Sequence, residues 1–106
     1  MTINITYEGT EYTLTYTRET VQKLEAKGVY AADIEKKPMT ILPALFEGAF
    51  LANHPNVSKK TILTIFDMCG NKEELIEAIA EMYNQPFQEL VSGTNGESKA
   101  TWKATF

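Results

Sequence analysis

The chain contains a single cysteine, Cys69, and a single histidine, His54. One cysteine forbids an internal disulfide. A zinc site would have to be built mainly from carboxylates, an uncommon set for that ion. A nucleophile triad needs a base beside a Ser, Thr or Cys, and nothing around His54 in the sequence suggests that pairing. The glycine patterns that cradle phosphates, G-x-x-x-x-G-K-[ST] and G-x-G-x-x-G, are missing as well. The expectation is a protein without catalysis, cofactor or metal. A surplus of positive charge is also lacking: the net charge is −4 and the pI about 5.0, which leaves no excess of Lys and Arg to neutralise phosphates. Nucleic acid is not expected as a partner. No apolar run approaches the roughly 20 residues of a membrane span. The N-terminal MTINITYEG has neither the basic nor the apolar region of a secretory signal. The cytoplasm is the expected compartment.

What the chain does have is enough apolar residue for one core, 43% of 106 residues, in a length that suits one domain. The stretch Pro38 to His54, PMTILPALFEGAFLANH, is long and almost uncharged. Leu42, Leu45, Phe46, Ala49, Phe50 and Asn53 recur on one helical face, with Ile41 and Leu51 off it. This spacing predicts a central helix covered on nearly every side. Ala44, Gly48 and Ala52 follow at intervals of four, a strip of small side chains that admits a close neighbour. That neighbour is either another helix of the same chain or a second subunit.

Strict alternation of Ile3, Ile5 and Tyr7, then Tyr12, Leu14 and Tyr16, against polar partners predicts a hairpin over 2–16. Gly9 lies in its turn, with Glu8-Gly9 or Gly9-Thr10 as the central pair. Helices are expected at about 18–27, 40–53, 58–69 and 72–91. Their signals are Thr17, Thr40, Ser58 and Asn71 as N-caps and Gly28 and Gly70 as stops, with Glu74 as the capping-box partner of Asn71 and Pro43 in a first turn. Residues 30–37 are expected to make a further turn or two, and Pro86 is expected to kink or restart the last helix. His54 is read as capping the carbonyls that end the central helix, and Cys69 as a buried small hydrophobe.

Residues 1–91 therefore read as one globular α+β domain, mainly helical, with its N-terminal hairpin packed on four or five helices. Residues 92–99 read as a flexible linker. Residues 100–106 then form a tail or an added strand, because Ala100, Trp102, Ala104 and Phe106 alternate with Thr101, Lys103 and Thr105. The expected partner of that strand is a hairpin edge, in the same chain or in another copy.

The Thr/Tyr hairpin, the pattern P-M-T-x-L-P-x-L-F-x-G-A-F-L-A at 38–52, the segment A-E-M-Y at 80–83 and the helix KEELIEAIAEMYNQPFQEL occur in that order. In these features the chain resembles the small tail assembly chaperones of long-tailed bacteriophages and prophages, from about Ile3 to Val91. The resemblance implies a mainly helical protein that binds the tape measure protein and keeps it soluble until tail tube subunits polymerise around it. It also implies that the chaperone leaves before the particle matures. A structural tail or connector subunit retained in the virion is the alternative. A long apolar helical partner calls for an apolar groove, and a homo-oligomer would multiply a small one. The candidate contacts are Phe46, Phe50, Leu51, Phe66, Met68, Met82 and Tyr83, since aromatics and flexible thioethers adapt to varied apolar surfaces.

Overall fold

The structure is a computed structural model that describes residues 1–92 and 100–105. Two strands, β1 (Ile3–Tyr7) and β2 (Thr10–Leu14), are followed by α1 (Arg18–Ala26), a 3-10 turn (Ala31–Asp33), α2 (Pro38–Phe50), α3 (Lys59–Met68) and α4 (Lys72–Ser92). It is an α+β domain, a hairpin set against four helices.

The hairpin register resolves the choice of turn. Ile5 lies opposite Tyr12 and Tyr7 opposite Thr10, so Glu8-Gly9 is the two-residue loop. Both loop residues have positive φ, +49° and +78°, as a type I′ turn requires. Ile3, Ile5, Tyr7, Tyr12 and Leu14 share the face that packs on the core, whereas Thr13 and Asn4 bond to each other on the other face at 3.0 Å.

α1 begins and ends as its sequence signals predict. Thr17 and Thr20 form a reciprocal capping box. Gly28, at φ +76°, closes a Schellman motif in which the Val29 N–H reaches the Leu24 carbonyl and the Gly28 N–H the Glu25 carbonyl, both at 2.9 Å. Ser58 caps α3 through the Thr61 N–H at 3.2 Å.

Three local expectations fail for identifiable reasons. α2 starts at Pro38 and not after Thr40: Pro38 sits at the first helical position, where its fixed φ suits the helix, and the Ile41 N–H already bonds the Lys37 carbonyl at 2.9 Å. Pro43 therefore falls beyond the first turn. It removes the donor for the Met39 carbonyl, at an exposed residue that solvent can reach. Asn71 provides the first carbonyl of α4, to the Leu75 N–H at 3.0 Å. Its backbone is left-handed, φ +49°, so its side chain and Glu74 form no capping box. Finally, α4 does not restart at Pro86 but continues through it to Ser92, with the buried ring on the flank facing α1.

α2 is the hub, in contact with the other three helices, β2 and the 3-10 turn. Leu45, Phe46, Ala49 and Phe50 have no exposed surface. The small strip resolves into a contact within the chain: a Cβ on Gly48 would stand 2.7 and 2.8 Å from the two methyls of Leu24 on α1. Ala44 is half-buried, and Ala52 is exposed beyond the end of α2.

β2 is tied to the end of α2 by polar bonds as well as packing. The Thr15 N–H donates to the Ala49 carbonyl at 3.1 Å. His54 does not cap the α2 carbonyls; its Nε2 accepts from the Thr13 N–H at 3.0 Å, while the Asn53 amide donates to the Thr13 carbonyl at 3.0 Å.

Of the C-terminal segment, residues 100–105 are described and are exposed without strand structure; the rest of the 92–99 linker after Ser92, and Phe106, lie outside the described residues. The sheet has two strands among the described residues, so the expected third strand is not formed on the chain's own hairpin. On β2 the edge is blocked at Thr13, whose outward backbone groups Asn53 and His54 already occupy.

Two substitutions test this packing. A left-handed non-glycine residue costs roughly 1 kcal/mol, a cost that Asn largely avoids. Glu8→Asn should therefore raise stability by about 0.5–1 kcal/mol and Tm by a few degrees in thermal unfolding; a lower Tm would contradict the turn assignment. Gly48→Leu should cost about 1–3 kcal/mol by overpacking against Leu24, whereas Ala52→Leu should be nearly neutral. Equal effects in denaturant unfolding would contradict the placement of the strip.

Candidate apolar docking site

The residues expected to contact a partner separate into two groups. Phe46, Phe50, Met82 and Tyr83 are core. Phe46 stacks obliquely on Phe50 and Phe66 with centroids 5.3 and 5.0 Å away, and Phe50 faces Tyr12 at 5.6 Å. Met82 is 1% exposed. Tyr83 packs edge-on to Tyr16 at 5.5 Å and donates to the Val29 carbonyl at 3.1 Å. None of these four offers a surface to a partner, because the core needs them. Leu51 and Phe66 are half-buried, and Met68 is exposed.

The surface that remains apolar lies between α2 and α3. α3 buries Ile62 and Ile65, which turns Leu63 and Phe66 toward its flank; α2 buries Ile41 and Leu45, which leaves Leu42 and Pro43 half-covered and Met39 88% exposed. Between them is a cleft of about 360 Å³ lined by Pro38, Met39, Leu42, Pro43, Leu63, Phe66 and Asp67. Phe66 connects it to the core through its contact with Phe46. The Lys72 ammonium stands 5.8 Å over the Phe66 ring while donating to the Cys69 and Asp67 carbonyls at 2.7 and 3.0 Å, which closes the α3–α4 corner. Asp67 is the single ionisable group in the lining, so the cleft suits apolar side chains. Sequence reasoning missed Met39. The signal was available: a Met beside Pro38 in the first turn of an otherwise buried helix has no preceding turn to pack on.

A second cleft, of about 300 Å³, separates α1 from the end of α4 and is lined by Arg18, Val21, Gln22, Glu25, Pro86, Phe87 and Leu90. Phe87, Leu90 and Val91 are more than half exposed, at helical spacing on one side of α4.

The perturbed titratable groups serve packing. Burial pushes the Tyr16 hydroxyl far above the usual phenol range, with Tyr83 adding to the shift, and that hydroxyl donates to the Leu45 carbonyl. Burial also raises Tyr83, with Glu25 and Tyr30 contributing. Cys69 is half-buried and not fully enclosed. Burial raises its thiol against an opposing effect from Lys72, which keeps it protonated and a poor nucleophile. Among the described residues no group of three His, Cys, Asp or Glu side chains is placed to hold a metal ion, and no helix is long and apolar enough to cross a membrane.

The chain belongs to the family described as domain of unknown function DUF5055, whose model matches residues 1–106. Neither a curated protein nor a solved structure matches it.

The two groups of residues should behave differently on substitution. Met39→Asp, at the cleft rim, should change stability by less than about 0.5 kcal/mol, whereas Phe46→Ala should cost about 3–5 kcal/mol. Comparable losses for both in urea unfolding would contradict the division into rim and core.

Proposed function

We propose that this chain is a tail assembly chaperone of a long-tailed bacteriophage or prophage. It acts in the host cytoplasm and holds the tape measure protein in a soluble state without catalysis. The observation that carries this reading is the α2/α3 cleft: it is mostly apolar, it is rimmed by the exposed Met39, and its α2 wall belongs to the stretch 38–52 that carries the resemblance. A tape measure protein presents apolar faces of long helices, and such a face docks by inserting anchors one helical turn apart into a groove of this kind. Met39 supplies an adaptable wall, since an unbranched thioether re-packs around different side chains at little cost. The exposed stripe Phe87, Leu90 and Val91 is a second apolar surface on the chain. The tail tube protein is the other partner this role implies.

Co-expression with a tape measure protein tests the reading. The chain should keep it soluble and co-purify with it, with weak dependence on salt because the contact is apolar. Met39→Asp and Leu63→Asp should each lower recovery while leaving the chain folded. Recovery that collapses between low and moderate salt would contradict the groove, and stoichiometric presence of this chain in mature virions would favour the structural subunit instead.

A further inference from the structure

We infer that the outer edge of β1 is a docking site for the C-terminal segment of a second copy of this chain, which adds to the hairpin as a third strand and lays Trp102 against Met68. This inference is independent of the tape measure reading. In a hairpin with a two-residue loop, alternate residues turn their backbone N–H and C=O groups outward. On β2 the outward residues are Glu11 and Thr13, and the backbone groups of Thr13 are taken by His54 and Asn53. On β1 they are Asn4 and Thr6, and among the described residues no backbone or side-chain group bonds their main chain. The β2 edge is blocked at Thr13, whereas the β1 edge is open at both positions.

Beside the open edge lies a cleft of about 230 Å³ between β1 and the end of α3, bordered by Ile5, Tyr7, Ile65, Met68 and Cys69. A strand added to β1 would extend the sheet across this cleft, with every second side chain directed into it. Ala100, Trp102 and Ala104 alternate with Thr101, Lys103 and Thr105, so an added strand has small residues on either side of one indole. Met68 is 71% exposed and Trp102 88% exposed; a thioether against an aromatic ring is a favourable pairing for both.

The length of α4 points to a second copy. Lys72 begins α4 at the corner where it bonds the Cys69 carbonyl, and an unbroken 21-residue helix carries Ser92 about 30 Å from there. Trp102 follows Ser92 by ten positions in the chain, a maximum span of about 34 Å. Return to the chain's own cleft would need almost full extension back along α4. Reciprocal exchange between two copies has no such constraint and buries both open edges in one symmetric assembly.

Trp102 is the only indole in the chain, so its fluorescence reports the contact directly. Light scattering on the full chain should give twice the 11.9 kDa chain mass, with blue-shifted emission and slow hydrogen exchange at the Asn4 and Thr6 amides. Trp102→Ala, removal of residues 98–106, and Met68→Lys should each halve the mass, and the first two should speed exchange at those amides by about tenfold or more. Because Met68 is exposed, Met68→Lys tests the site without threatening the fold. A monomeric wild type with solvent-exposed Trp102 would overturn the proposal. Blue-shifted emission and protected amides in a monomer would place the strand on its own hairpin and overturn the assignment to a second copy. A dimer that survives loss of the tail would overturn it by showing a different interface.

Discussion

The structure depends on the close approach of α1 to α2 at Gly48. Only a residue without a side chain lets Leu24 lie directly on the α2 backbone, and that contact sets the position of both helices. With α1 placed there, the chain entering it from β2 runs along the second half of α2. The Tyr16 hydroxyl then reaches the Leu45 carbonyl and the Thr15 N–H reaches Ala49. The hairpin is thus fixed on the helix by hydrogen bonds to one carbonyl inside α2, Leu45, and one in its last turn, Ala49, and not by packing alone. Each such bond is worth on the order of 1 kcal/mol net. Their larger effect is on register, since a slip of one residue would turn Tyr12 and Leu14 away from Phe50 and the core.

Much of this was legible in the sequence wherever a local rule decides the outcome. Thr17, Ser58, Gly9 and Gly28 mark boundaries because caps and positive φ depend on immediate neighbours, and the apolar density of 38–54 identifies the buried helix. Legibility stopped where the answer depends on what lies opposite. An apolar face shows that a residue wants cover but not whether the chain or a partner supplies it, so Phe46, Phe50, Met82 and Tyr83 looked like contacts and are core. His54 was read against its own helix, while its nitrogen serves a strand residue 41 positions away. Pro86 suggested a kink or a restart because propensity disfavours it inside a helix, yet α4 continues through it with the ring buried beside α1. The difference between the two hairpin edges was invisible for the same reason: it arises because Asn53 and His54, beyond the end of α2, occupy Thr13 on β2.

The candidate surfaces follow from this economy of burial. A chain of 106 residues covers a modest core, and α2 consumes most of the available cover. What is left over, the α2/α3 cleft and the flank of α4, is apolar because the helices that form it are amphipathic over more than the width their neighbours can reach. Large exposed apolar side chains on a small domain are a recognised mark of interaction surfaces.

The four methionines provide the most direct test, because they sample distinct environments: Met39 on the cleft rim, Met68 beside β1, Met82 in the core and Met1 at the terminus. Methyl NMR of methionine-labelled chain, titrated with helical segments of a tape measure protein, reads all four at once. The account predicts a saturable shift of the Met39 methyl while Met82 stays in place. Saturable binding that leaves Met39 unmoved, or that displaces Met82, would contradict it.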